Sequence, residues 1–123
     1  MPAAGRKQSK SERDLLVSVA ISDINLARVF AVSARSAFSA GKVADGEFAR
    51  LRTVKFYCDA LRSLLRMTPV ERESFSSDLQ NLRTQIEWLS MQTGVSLSPT
   101  AIQEEASMEK LLKLLEETRA ETV

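Results

Sequence analysis

Residues 17–38 read VSVAISDINLARVFAVSARSAF. Val17, Ala20, Ile24, Ala27, Ala31, Ala34 and Phe38 recur there in steps of three and four. At 100° per residue these positions form one stripe of an α-helix, whereas a half-buried strand would alternate every second residue. Four of the seven are alanine, so a neighbouring backbone can approach closely. Leu16, Val19, Leu26 and Phe30 widen the same apolar face. Before the stripe, Ser11 with Asp14 three residues on makes a weak variant of the capping box. After it, Gly41 suits the left-handed position that closes a helix. The pattern predicts a helix over about residues 11–40, preceded by a small, basic, aperiodic segment 1–10 (MPAAGRKQSK) read as a disordered tail.

Three further helices follow from the same reasoning. Asp45 is the expected N-cap of a helix over about 46–67, with the stripe Phe48, Leu51, Val54, Cys58, Leu61 and Leu65. Tyr57 and Leu64 broaden that stripe, and Ala49, Phe56 and Ala60 occupy another side. So wide an apolar arc places this helix at the centre of the fold. Thr68-Pro69-Val70-Glu71 is the clearest start signal in the chain, with a threonine cap, proline at N1 and glutamate at N3. It opens a helix expected over 69–93 with Phe75, Leu79, Leu82, Ile86 and Leu89 inward, closed by Gly94. Residues 95–98 read as a linker to a last helix over about 99–119, with Met108, Leu111, Leu112 and Leu115 on a narrow face. The expected fold is all-α: an antiparallel bundle of four helices forming one domain over 11–119, whose last helix either docks on its own bundle or pairs with another chain in a swapped or packed dimer. If the first two helices run antiparallel about the 42–46 loop, Phe38 faces Phe48 and Ile24 lies level with Arg62.

Composition narrows the chemistry. The 123 residues include 44% hydrophobic and 27% charged side chains, an ordinary globular mixture. There is no histidine and one cysteine, Cys58. Ser–His and Cys–His nucleophilic pairs and Cys/His zinc sites are therefore excluded. Cys58 falls on a core stripe and has no base beside it. No catalytic residue, metal ligand or cofactor is expected, and the chain is not expected to be an enzyme. The carboxylates of Glu104-Glu105 and Glu116-Glu117 are adjacent in sequence and diverge on a helix. No uninterrupted apolar run reaches the roughly 20 residues of a bilayer span, and the basic residues before Leu15 do not make a cleaved signal because Glu12 and Asp14 stand among them. A cytoplasmic protein without membrane contact is the expectation. Net charge is +1, yet residues 1–66 sum to +6 and residues 67–123 to −5. Such asymmetry marks either two halves that attract in the fold or a basic surface for a partner.

Ala37-Phe38-Ser39-Ala40-Gly41 and Phe56-Tyr57-Cys58-Asp59-Ala60-Leu61 together resemble one tetratricopeptide-type hairpin. They are similarly close to the hairpin of the three-helix microtubule-interacting-and-trafficking domain. The resemblance covers about 30 residues, and it implies a binding scaffold without catalysis. The 42–46 loop is longer than in those families, and no second repeat follows.

Six residues stand out as candidates. Arg52, Lys55, Arg62 and Arg66, with Asp59 among them, make a basic stripe on the second helix. Such a stripe either pairs with acids of neighbouring helices or faces phosphates or an acidic protein. Trp88 lies off the core stripe of the third helix. Either the last helix folds over it or it is an exposed anchor for a partner. Asp23 falls inside the apolar arc of the first helix, so it is expected to be a buried structural carboxylate paired with Arg62 or Arg66. The leading functional expectation is a helical protein–protein interaction module with an unidentified protein partner, including a homodimer through the first or last helix. The second is a nucleic-acid-associated protein using the basic half. Asp23 in a pocket between helices, serving an enzyme or small-ligand binder, is the third.

Overall fold

The computed structural model describes the backbone of residues 2–92 and 99–121 and is all-helical there. Five helices follow in order: α1 Pro2–Ser39, α2 Val43–Leu65, α3 Pro69–Glu73, α4 Ser76–Gln92 and α5 Pro99–Glu121. The expected Gly94 stop and 95–98 linker lie outside the described residues.

Helix α1 is longer than expected. Its 38 residues begin at Pro2, so the segment read as a disordered tail forms its first turns and Ser11 is not a cap. Proline suits the first helical position, and the alanine, arginine, lysine and glutamine that follow are good helix formers. Residues 2–10 carry no apolar stripe, so hydrophobic periodicity alone does not mark them as helical.

At the other end α1 closes as Gly41 requires. Gly41 has φ 77°, Lys42 N–H donates to Ala37 O at 2.8 Å, and Gly41 N–H donates to Phe38 O at 3.1 Å. This pair of bonds is a Schellman closure, and it turns the chain straight into α2. Helix α2 starts at Val43, three residues before the expected start. Its N-cap is Lys42, which makes no side-chain cap bond, so Asp45 is not the cap. Asp45 instead stands in the first turn, where a carboxylate meets the positive end of the helix dipole.

The seam between α1 and α2 is built from small residues. Ala20, Ile24, Ala27, Ala31 and Ala34 are buried, opposite Ala49, Thr53, Tyr57, Ala60 and Leu64. The rings of Phe30 and Phe56 stack at 5.6 Å between centroids. Each is eight residues inward from Phe38 and Phe48, so the antiparallel register read from the sequence holds at this point. Phe48 itself does not face the core. It is exposed, and the Phe38 ring lies against Gly46 instead, where an added Cβ would come within 2.6 Å of the ring. Val19 and Leu26, expected to widen the core face of α1, are also exposed.

The third predicted helix is divided. Thr68 and Glu71 form the capping box as expected: Thr68 N–H donates to the Glu71 carboxylate at 2.9 Å, and Glu71 N–H donates to Thr68 Oγ1 at 3.3 Å. Helix α3 then stops after Glu73. Ser74 Oγ donates back to Glu71 O at 2.8 Å, and Phe75 N–H donates to Arg72 O, a tightened turn that sets Phe75 into the core before α4 begins. Leu82, Ile86 and Leu89 of α4 are buried on the predicted stripe. In α5, Met108 is buried, and Leu111, Leu112 and Leu115 pack on the same core. Helix α2 touches α1, α4 and α5, the central position its wide apolar arc required.

The Gly41→Ala variant will lose about 1 kcal/mol of stability, because the left-handed backbone at this turn penalises a Cβ although the surrounding space is open. Urea unfolding followed by circular dichroism measures it; an unchanged midpoint would show that the turn does not depend on glycine.

Candidate functional site

The most unusual side chain in the core is one that the sequence reading passed over. Arg50 of α2 is 0% exposed. Its guanidinium donates to both carboxylate oxygens of Glu47, at 2.7 and 3.0 Å, and to Glu105 of α5 at 2.7 Å. Ser90 of α4 lies at 3.5 Å. Both carboxylates are partly exposed, at 23% and 28%, so water shares the cost of the pair while the arginine is fully covered. These hydrogen bonds and charges hold the Arg50 guanidinium above its ordinary pKa, against the effect of burial. The available signal was Arg50 standing one turn from Gly46, Thr53 and Val54 with Glu47 three residues back, a cation on the inward arc with a ready partner. Arg72 acts similarly at the other end. It donates to Leu64 O at 2.8 Å, to Leu65 O at 3.2 Å and to Thr118 Oγ1 at 2.7 Å, tying the α2 terminus to α5.

The predicted candidates are placed as follows. Arg52, Lys55 and Arg62 are exposed on α2, and Arg66 is exposed at its C-cap. Arg62 pairs with Asp59 of its own helix at 2.8 Å, while Arg52 and Lys55 lie over the rings of Phe48 and Phe56. The expected pairing of Asp23 with Arg62 or Arg66 does not form, because Asp59, one turn away, takes Arg62. Asp23 is only half-buried, and partial burial together with the like charge of Asp59 raises its pKa. Trp88 is 39% exposed, and the last helix does not cover it; Arg35 of α1 lies over its ring, 5.0 Å from the centroid. Cys58 is buried as expected, and burial pushes its thiol up to about 11. Among the described residues, no three of the His, Cys, Asp or Glu side chains cluster as metal ligands.

One surface emerges only in three dimensions. With its alanine side against α2, α1 turns its other side outward. Leu15, Ile21, Val29 and Val32 are 64%, 47%, 59% and 64% exposed, interspersed with exposed Ser18, Ser22, Asn25, Ser33 and Ser36. The three charged residues from Leu15 to Ser36 stand on its flanks. Arg28 pairs with Asp78 of α4, Arg35 covers Trp88, and Asp23 stands towards Asp59 of α2. The outward face is thus uncharged over about 33 Å of helix. Over Glu12–Ser39, α1 is also long and apolar enough, by length and composition, to cross a membrane. The expectation that no segment reaches that length counted uninterrupted apolar runs and missed a helix with few charges.

No protein-family model, no curated protein and no solved structure matches this chain.

Two measurements check this geometry. Arg50→Met will cost about 3 kcal/mol, because it strands two carboxylates that share one buried cation; an unchanged urea midpoint would show that the triad is idle. Asp23→Asn will raise the thermal midpoint at pH 7. A carboxyl whose folded pKa is raised binds its proton more tightly in the native state, so stability falls as pH climbs above the ordinary 3.8. The gain from the amide therefore shrinks as pH is lowered towards that value. A gain that grows on acidification would reverse the assignment.

Proposed function

We propose that this chain is a non-catalytic helical protein–protein interaction module, a bundle whose long helices alternate in direction, and that the outward face of α1 is its binding surface. The single observation behind this reading is the uncharged, apolar, exposed stretch from Leu15 to Val32. Exposed apolar patches of this extent are rare on proteins that act alone. A non-catalytic role is supported by the absence of histidine and by a lone thiol that burial keeps protonated. A membrane-spanning role for α1 fits the fold poorly. Its alanine side is packed on α2, so the exposed Arg52, Lys55, Arg62 and Arg66 would be drawn to the same depth, each costing about 3 kcal/mol in hydrocarbon.

A second reading is a nucleic-acid-associated protein. The four exposed cations of α2 favour it, because they lie on one line and Arg62 is neutralised only from within its own helix. That reading requires binding to DNA or RNA that weakens steeply with salt.

The test of the leading reading compares tagged wild-type chain with a Leu26→Lys/Val29→Lys variant as baits in extract of the native host that also contains untagged chain. The wild type should retain a polypeptide, another protein or the untagged copy, that the variant loses while keeping its helical circular dichroism. Equal retention by both baits, or no retained polypeptide, overturns the reading.

A further inference from the structure

We propose that the occupant of the outward face of α1 is the same face of a second copy of this chain, with the two α1 helices side by side and parallel. This rests on the reading of α1 as a binding surface and names its partner.

Leu15, Val19, Ser22, Leu26, Val29 and Ser33 are all exposed and are separated by alternating steps of four and three. That spacing averages 3.5 residues, the repeat that keeps one side of a helix against another helix along its whole length. The same alternation on the opposite side places Ala20, Ile24, Ala27, Ala31 and Ala34 against α2. Helix α1 therefore carries two seams of the same repeat, one of them filled. Serine at two of the six open positions lets a second backbone approach without a steric cost.

Self-pairing brings each side chain near others of its own kind, so a charged seam would repel itself. This one has no charge to bury. The flanks then select the direction. Arg52, Lys55, Arg62 and Arg66 border α1 on the α2 side, where Phe30 stacks on Phe56. An antiparallel pair related by a two-fold axis would bring the two basic stripes together on one flank. A parallel pair sets each stripe against the α4 flank of the other copy, which carries fewer open cations: Asp78 neutralises Arg28, Thr84 and Gln85 are uncharged, and Arg35 lies over the Trp88 ring.

Light scattering after gel filtration of the full chain at about 100 µM should give twice the chain mass of 13.7 kDa, and Leu26→Lys/Val29→Lys should return it to 13.7 kDa with its helical signal intact. In the parallel pair, equivalent residues meet at every repeat. Ser22→Cys and Val29→Cys, made separately, should therefore each form a disulfide dimer under mild oxidation, with the buried Cys58 not competing. A cross-link at only one of the two positions overturns the parallel arrangement. A monomer that still captures another protein through α1 overturns this inference and leaves the interaction reading standing. A dimer that survives Leu26→Lys/Val29→Lys overturns the α1 seam itself.

Discussion

The close approach of α1 to α2 is the constraint from which the rest of the structure follows. Alanine contributes little apolar area, so the seam gains its stability from length and from tight contact between backbones. Ala20, Ala27, Ala31 and Ala34 are each at most 2% exposed, which only a neighbouring helix at short range can achieve. Such a seam occupies a narrow arc of α1. The larger side chains of α2, Val54, Tyr57, Leu61 and Leu64, then form the centre on which α4 and α5 close. The result is a lopsided molecule. Helix α2 is covered on several sides, whereas α1 has one side covered and the other open.

Arg50 supplies the directional element that an apolar core lacks. Leucine and methionine contacts along α5 tolerate sliding by a fraction of a turn. A guanidinium that must meet Glu47, Glu105 and Ser90 together does not. Arg72 holds the opposite end of α5 through Thr118. The two arginines thus fix the register of α5 on α2 at two points, and the leucines between them supply contact area. Removing the arginine alone leaves two carboxylates without their cation, whereas the triad taken whole acts chiefly by choosing among similar packings.

Much of the fold was legible because periodicity and turn chemistry are local. The alanine stripe, Gly41, the Thr68–Glu71 capping box and the inward residues of α4 all stand where the sequence put them. The errors have physical causes. The start of α1 at Pro2 was missed because residues 2–10 carry no apolar stripe for periodicity to detect. The break at Ser74 depends on a side-chain bond back to Glu71, which competes with the helix and leaves no mark on hydrophobic spacing. Asp23 was placed at the right level on α1, but Asp59 is a nearer partner for Arg62 than any residue of another helix. Phe48 was assigned inward because period alone cannot tell which of two apolar arcs of α2 faces the core. The outward face of α1 was hidden by the same ambiguity, since Val19 and Leu26 fit the edge of the core stripe as well as they fit a second one.

A helix that serves one core has one apolar side and can spend charges freely on the other, as α2 does with Arg52, Lys55, Arg62 and Arg66. From Leu15 to Ser36, α1 keeps its three charges on the flanks and places serine, asparagine, valine and leucine outward. Exposed β-branched residues lower helix propensity and solubility together, so chain folding alone gives no reason for Val19, Val29 and Val32 to be there. A surface that must leave water at some point in its working life does give one. The polar members are small and neutral, able to bond to their own backbone when water is withdrawn. The composition of the open side is therefore that of a face built to be covered, on a helix whose opposite side shows how such a seam is filled.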